Sequence, residues 1–141
     1  MEGDPGEGIY RAMIEENGMP RLFASATALG IRKDKDIVAD QADRVHRPAF
    51  QPRGKNGLSC SRTIESLPNF ALPVEWGGLN PKTVVWQIDE TDLGAELIAQ
   101  DDAIPGRNRH VSIGPATTMA YDDFARAIEA TRTRWKKVLK S

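Results

Sequence analysis

Nine prolines and twelve glycines break this chain into short pieces. Both residues punctuate regular structure: proline fixes φ and lacks an N–H donor, and glycine supplies turn conformations. Helix alone therefore does not account for the fold, and the chain is expected to form a mixed α+β domain. Its 141 residues suit one domain, which at this size buries about two thirds of the surface that its unfolded chain exposes. Residues 1–7, acidic and turn-rich, read as a disordered lead-in, and residues 8–141 as a single domain.

Cys60 is the only cysteine, so no internal disulfide forms, as suits a reducing cytosol. No apolar run approaches the roughly 20 residues that span a bilayer. The N-terminus does not resemble a cleavable signal peptide, and the expected location is cytoplasmic, in the producing or a target cell. The net charge of −1 lacks the basic excess of a non-specific nucleic-acid binder. Nucleic acid is thus a disfavoured partner, although Arg44, His46, Arg47, Arg53, Lys55 and Arg62 crowd one segment. Acids crowd another, from Asp89 to Asp102.

Several elements are legible along the chain. Ile9–Ile14 reads as a strand followed by an Asn17-Gly18 turn. Leu22, Phe23, Ala26 and Leu29 suit a short helix ending at Gly30. Arg44–Gly57 reads as a long loop, a type that is often functional. Leu58–Ser61 suits a brief strand, Thr63–Leu67 a turn of helix, and Trp76 falls in no obvious element. Thr83–Ile88 is the best strand, rich in β-branched and aromatic residues, and Leu93–Ala99 suits either a short helix or a strand. His110–Ile113 alternates, with Val111 and Ile113 on one face and His110 and Ser112 on the other, and Gly114-Pro115 is expected to stop it. Phe124, Ile128, Thr131, Trp135 and Val138 recur at helical spacing, predicting an amphipathic C-terminal helix. Asp122 and Asp123 would lie at its start and Lys136, Lys137 and Lys140 near its end, both favourable to the helix dipole.

Familiar catalytic motifs are missing from the sequence. It contains no phosphate-cradling loop ending in lysine, no Gly-x-Gly-x-x-Gly and no nucleophile elbow. Two histidines and one cysteine, without metal-ligand spacing, predict no metal site.

Three segments combine polar side chains with strand-like context. Arg11, beside Tyr10, either points to solvent from an edge strand or faces a cleft where an anion satisfies it. Gly57 precedes Ser59 and Ser61, and it either allows a ligand close to the backbone or belongs to a turn with solvated hydroxyls. His110 either donates to a ligand or meets an acidic neighbour.

Taken in order, Tyr10-Arg11-Ala12, Gly57-x-Ser59, His110-x-Ser112-Ile113-x-Pro115-Ala116-x-x-Met119 and a helix with Phe, Ala and Trp-x-Lys resemble a known group. The chain is similar, from Ile9 to Lys137, to the ADP-ribosyltransferase-like toxins of bacterial type VI secretion. The resemblance implies a small split β-sandwich that binds NAD, as substrate, between its two sheets. It implies that Arg11, with Tyr10 beside it, anchors the dinucleotide. Ser59, with Ser61 and Gly57 as neighbours, would support the nicotinamide-side ribose. The family's late-strand glutamate has no counterpart here; His110 and Ser112 occupy that neighbourhood. Arg11, Ser59 and His110 are thus the expected catalytic residues. The resemblance also implies a cognate antitoxin or immunity protein and a macromolecular acceptor, with water as the alternative acceptor. Two other functions stay open: an enzyme acting on RNA ends, motivated by the basic loop, and a partner-binding domain using Trp76 and the proline-rich middle.

Overall fold

The computed structural model describes residues 8–22, 33, 36–48, 55–102 and 109–140. They form a mixed α+β structure, mostly antiparallel sheet, with one short helix near the C-terminus. The strands are β1 (Gly8–Glu16), β2 (Met19–Pro20), β3 (Arg44–Val45), β4 (Leu58–Ser61), β5 (Thr83–Asp89), β6 (Leu97–Asp101), β7 (His110–Pro115), β8 (Met119–Ala120) and β9 (Lys136–Lys137). The helix α1 spans Tyr121–Ala130.

The main sheet has seven strands, in the order β6-β7-β4-β1-β5-β9, with β2 folded back on β1. Its two sides are knit unequally. β1 and β5 pair continuously from Gly8↔Asp89 to Ile14↔Thr83. On the other side β7 pairs with β4 from Leu58↔Ile113 to Ser61↔His110, and with β6 from Leu97↔Pro115 to Asp101↔Val111. Between these halves, β1 and β4 share one register pair among the described residues, Tyr10↔Ser61. The centre of the sheet is therefore a seam. β3 and β8 form a separate two-stranded ribbon.

Strand alternation divides the interior into two layers. Ile9 and Met13 of β1, Leu58 and Cys60 of β4, Trp86 and Ile88 of β5, and Val111 and Ile113 of β7 face one side. There they pack with Phe124, Ala125 and Ile128 of α1. The Trp86 indole also donates to the Met13 carbonyl at 3.1 Å. On the opposite side, Val85 packs with Leu67 and Leu72, joined by the half-buried Tyr10, Ala12, Ile64, Trp76 and Val138. The segment after β4 thus covers the β1–β5 half.

Several expectations need correction. The C-terminal helix stops at Ala130, and a 3-10 turn, Thr131–Arg134, follows it. Its stripe is real as burial, because Phe124, Ile128, Thr131 and Trp135 are all buried. But Trp135 is reached through the 3-10 turn, where Thr131 Oγ1 donates to the Ile128 carbonyl at 2.6 Å and accepts from the Trp135 indole at 2.9 Å. Lys136 and Lys137 are consequently not dipole partners at a helix end; they form β9 and pair with Gln87 and Trp86. Gly114-Pro115 does not stop β7, whose last two residues pair with Ile98 and Leu97. Of the Leu93–Ala99 region only Leu97–Ala99 lie in a strand, β6, while Leu93 caps a 3-10 turn, Glu90–Asp92, and Trp76 ends another, Val74–Trp76. The loop expected over Arg44–Gly57 begins with β3, and part of it lies outside the described residues, as does most of the helix expected up to Gly30. No helix among the described residues is long and apolar enough to cross a membrane.

Candidate functional site

The seam gathers the residues singled out from the sequence. β1 lies inside the sheet, flanked by β4 and β5, so Arg11 is not an edge-strand arginine pointing to solvent. It stands opposite Trp86 on β5 and shares its strand face with Ile9 and Met13. Where backbone pairing between β1 and β4 is down to a single register pair, its side chain makes the crossing: Nη1 donates to the Ser59 carbonyl at 2.6 Å. Burial disfavours the charged guanidinium and lowers its pKa, against the opposing pull of Cys60 and Asp36. An arginine held in such a place gains from any anion that approaches it.

Ser59 is half-buried and turns its side chain to the other face of the sheet, away from Leu58 and Cys60. There its Oγ lies 2.7 Å from His110 Nε2. His110 is buried, 4% exposed, and its Nδ1 lies 2.9 Å from the main-chain carbonyl of Asp102. A carbonyl only accepts, so Nδ1 carries the proton, and in the neutral ring Nε2 is an acceptor to which the Ser59 hydroxyl donates. The tautomer is set by the backbone just past β6, which also closes the strand pair through Asp102 N donating to His110 O at 2.9 Å.

A second layer holds this arrangement. The Asp102 carboxylate accepts from Asn56 Nδ2 at 3.0 Å and from Ser112 Oγ at 3.2 Å. All three residues are buried. Buried hydrogen bonds of this kind hold their neighbours in one geometry, although the Asn56 Oδ1 itself has no partner among the described residues. Ser112, opposite Ser59 in the register, is thus a support for Asp102.

The other expected residues take structural roles. Gly57, at φ +135°, is not a place where a ligand nears the backbone: a Cβ there would fall on the Ile113 carbonyl, so the close approach is to β7. Ser61 is fully buried, accepts from the Thr63 N–H at 3.3 Å and donates to the Arg109 carbonyl at 3.4 Å. It is neither a solvated hydroxyl nor close to open space. Tyr10 sits at the one seam pair and packs into the smaller hydrophobic cluster. Sequence reasoning missed Asp102 and Asn56. Asp102 is one acid among several, and Asn56 falls within the long loop expected over Arg44–Gly57; only the folded register shows their shared burial.

Three residues of the basic segment meet acids of the same chain. Arg44 and His46 both meet Asp40. Arg62, its side chain 8% exposed, bridges Glu90 and Asp101 at 2.9 Å each. Burial alone would lower its pKa, yet its hydrogen bonds to Asp101 and Glu90 outweigh this and hold it above the ordinary arginine value.

Compared with known proteins, the chain matches no family model, no curated protein and no solved structure.

Proposed function

We propose that this chain is an NAD-cleaving enzyme of the ADP-ribosyltransferase-like kind, with the seam between its half-sheets as the place where NAD is held. One observation carries this: Ser59, at the seam, is bonded by both other expected residues, its main-chain carbonyl by Arg11 from one face of the sheet and its hydroxyl by His110 on the other. The sheet supports it too. Its two halves share one register pair, and a dinucleotide would lie beside that join.

In this scheme the bond between ribose C1′ and nicotinamide breaks, and nicotinamide leaves with the electron pair. Positive charge builds on the ribose, as in glycoside hydrolysis. Preorganised oxygen dipoles near that carbon lower the barrier, and the hydroxyl of Ser59, whose main-chain carbonyl takes the Arg11 bond, would be one of them. Arg11 neutralises the pyrophosphate and fixes the dinucleotide, a binding role. The ADP-ribose then passes to a macromolecular acceptor or to water. As a toxin working in the cytoplasm, the enzyme would be held in check by a cognate antitoxin or immunity protein covering the seam.

Turnover tests the proposal. Purified protein is mixed with NAD, alone and with bacterial lysate as a source of acceptors, and free nicotinamide is followed by proton NMR. Release by the wild type is expected, with Ser59→Ala lowering kcat by about a hundredfold. Arg11→Lys keeps the charge but loses the planar fork, and is expected to raise KM by about tenfold. No release under either condition would overturn the proposal.

A partner-binding function has one observation in its favour. Phe70, Val74 and Leu79 are 75%, 58% and 69% exposed, all within the segment that covers the β1–β5 half. Trp76, the residue first expected to make that contact, is instead half-buried and packed in the smaller cluster. An RNA-directed activity loses much of its motive, because Arg44, His46 and Arg62 already meet acids of their own chain.

A further inference from the structure

Resting on the NAD-cleaving function proposed above, we infer that Ser59 and His110 form a proton relay that does the work of the missing late-strand glutamate. Ser59 is the catalytic residue that meets the substrate, and His110 is the positioning residue that acts through it.

The geometry defines the direction of the relay. His110 Nδ1–H is committed to the Asp102 carbonyl at 2.9 Å, and Nε2 accepts from Ser59 Oγ at 2.7 Å. A hydroxyl that donates to a neutral imidazole turns its oxygen into a better acceptor. Such an oxygen does two things at once: it favours positive charge developing on the ribose, and it takes a proton from the attacking group. The step balances as follows. The C1′–N bond breaks and its electron pair leaves on neutral nicotinamide. The oxygen of water or of an acceptor hydroxyl bonds to C1′, its proton passes to Ser59 Oγ, and the Ser59 proton passes to His110 Nε2. The imidazolium then returns its proton to solvent before the next turnover.

Protonating His110 beforehand reverses the arrangement. Nε2–H would donate to Ser59, which could then no longer pass a proton on, and a cation would stand beside the developing positive charge. Activity should therefore fall once acidification protonates the ring. Other ionisable groups surround the ring. By alternation, Tyr10 of β1 and Asp102 beyond β6 lie on the His110 side of the sheet, and Arg11, Cys60 and Asp101 lie on the other. Arg109 precedes His110 in the chain. An acid limb owed to any of these would survive the loss of the imidazole.

The test is the pH dependence of nicotinamide release by wild type, His110→Gln and Ser59→Ala. Glutamine keeps an oxygen that accepts from Ser59 but does not titrate. The expected result is an acid limb in the wild type, with kcat about a hundredfold lower in His110→Gln and the limb gone. A folded His110→Gln that keeps the limb, or keeps kcat within about twofold, overturns the relay. If His110→Gln does not fold, Ser59→Ala decides: the relay requires it to lose both rate and limb, and a wild-type profile overturns it. Wild type without any turnover overturns the NAD-cleaving function and the relay with it, whereas turnover with an unaltered limb overturns the relay alone.

Discussion

At the scale of single residues, Gly57 and Arg62 illustrate how closely β4 is tied to its surroundings. Gly57 combines a left-handed φ of +135° with a backbone approach to Ile113 that leaves no room for a Cβ. Gly57→Ala is therefore predicted to destabilise the protein by about 2–4 kcal/mol, read from the urea midpoint. Arg62 leaves β4 and ties it to Glu90 and Asp101. Both partners are well exposed, and solvent screening limits the gain, so Arg62→Ala is expected to cost about 1–2 kcal/mol in the same measurement. The residue types of the site were legible in the sequence: an arginine in an apolar strand, a serine after glycine, a histidine on the polar face of an alternating strand. Their partners were not. Arg11 and Ser59 lie 48 residues apart, and Ser59 and His110 lie 51 apart. Pairing over that distance depends on strand register, which local pattern does not encode.

At the scale of elements, β1, β5 and β7 were legible because β-branched and aromatic residues fill them. The end of α1 was not. A stripe of apolar spacing fits a helix through Val138, but Thr131 closes the helix by bonding the Ile128 carbonyl and the Trp135 indole. Thr131→Val keeps the shape and removes both bonds, and is predicted to lower stability by about 1–2 kcal/mol in thermal unfolding. The β3–β8 ribbon carries a different dependence. Asp40 accepts from the Arg44 and Ala42 amides and lies 3.0 Å from His46 Nε2, while His46 Nδ1 lies 3.1 Å from Thr118 Oγ1. The backbone bond from Arg44, outweighing the effect of desolvation, holds the Asp40 carboxyl below the ordinary carboxylate value, with help from His46 and Ala42. A carboxylate lowered in the folded state contributes stability above its unfolded pKa and loses it as pH falls through the folded one. The protection of the Val45 and Tyr121 amides, the latter donating to the Asp43 carbonyl at 2.9 Å, is thus predicted to fall on acidification below the ordinary aspartate range, and Asp40→Asn to abolish that dependence.

At the scale of the whole molecule, the seam is the feature that links the fold to the proposed chemistry. One half-sheet is knit by the continuous β1–β5 ladder, the other by β7 between β4 and β6. The hydrophobic layer shared with α1 spans both. The α+β class follows from turn-rich composition, but strand order does not, since it requires non-local pairings that no short motif announces. The most direct measurement of the central claim is a proton–nitrogen correlation spectrum of the wild-type protein titrated with NAD. Shifts concentrated at Tyr10–Ala12, Leu58–Ser61 and His110–Ser112, on both sides of the seam, are the predicted result. Shifts confined to the Phe70–Leu79 surface, or none at saturating NAD, would contradict it.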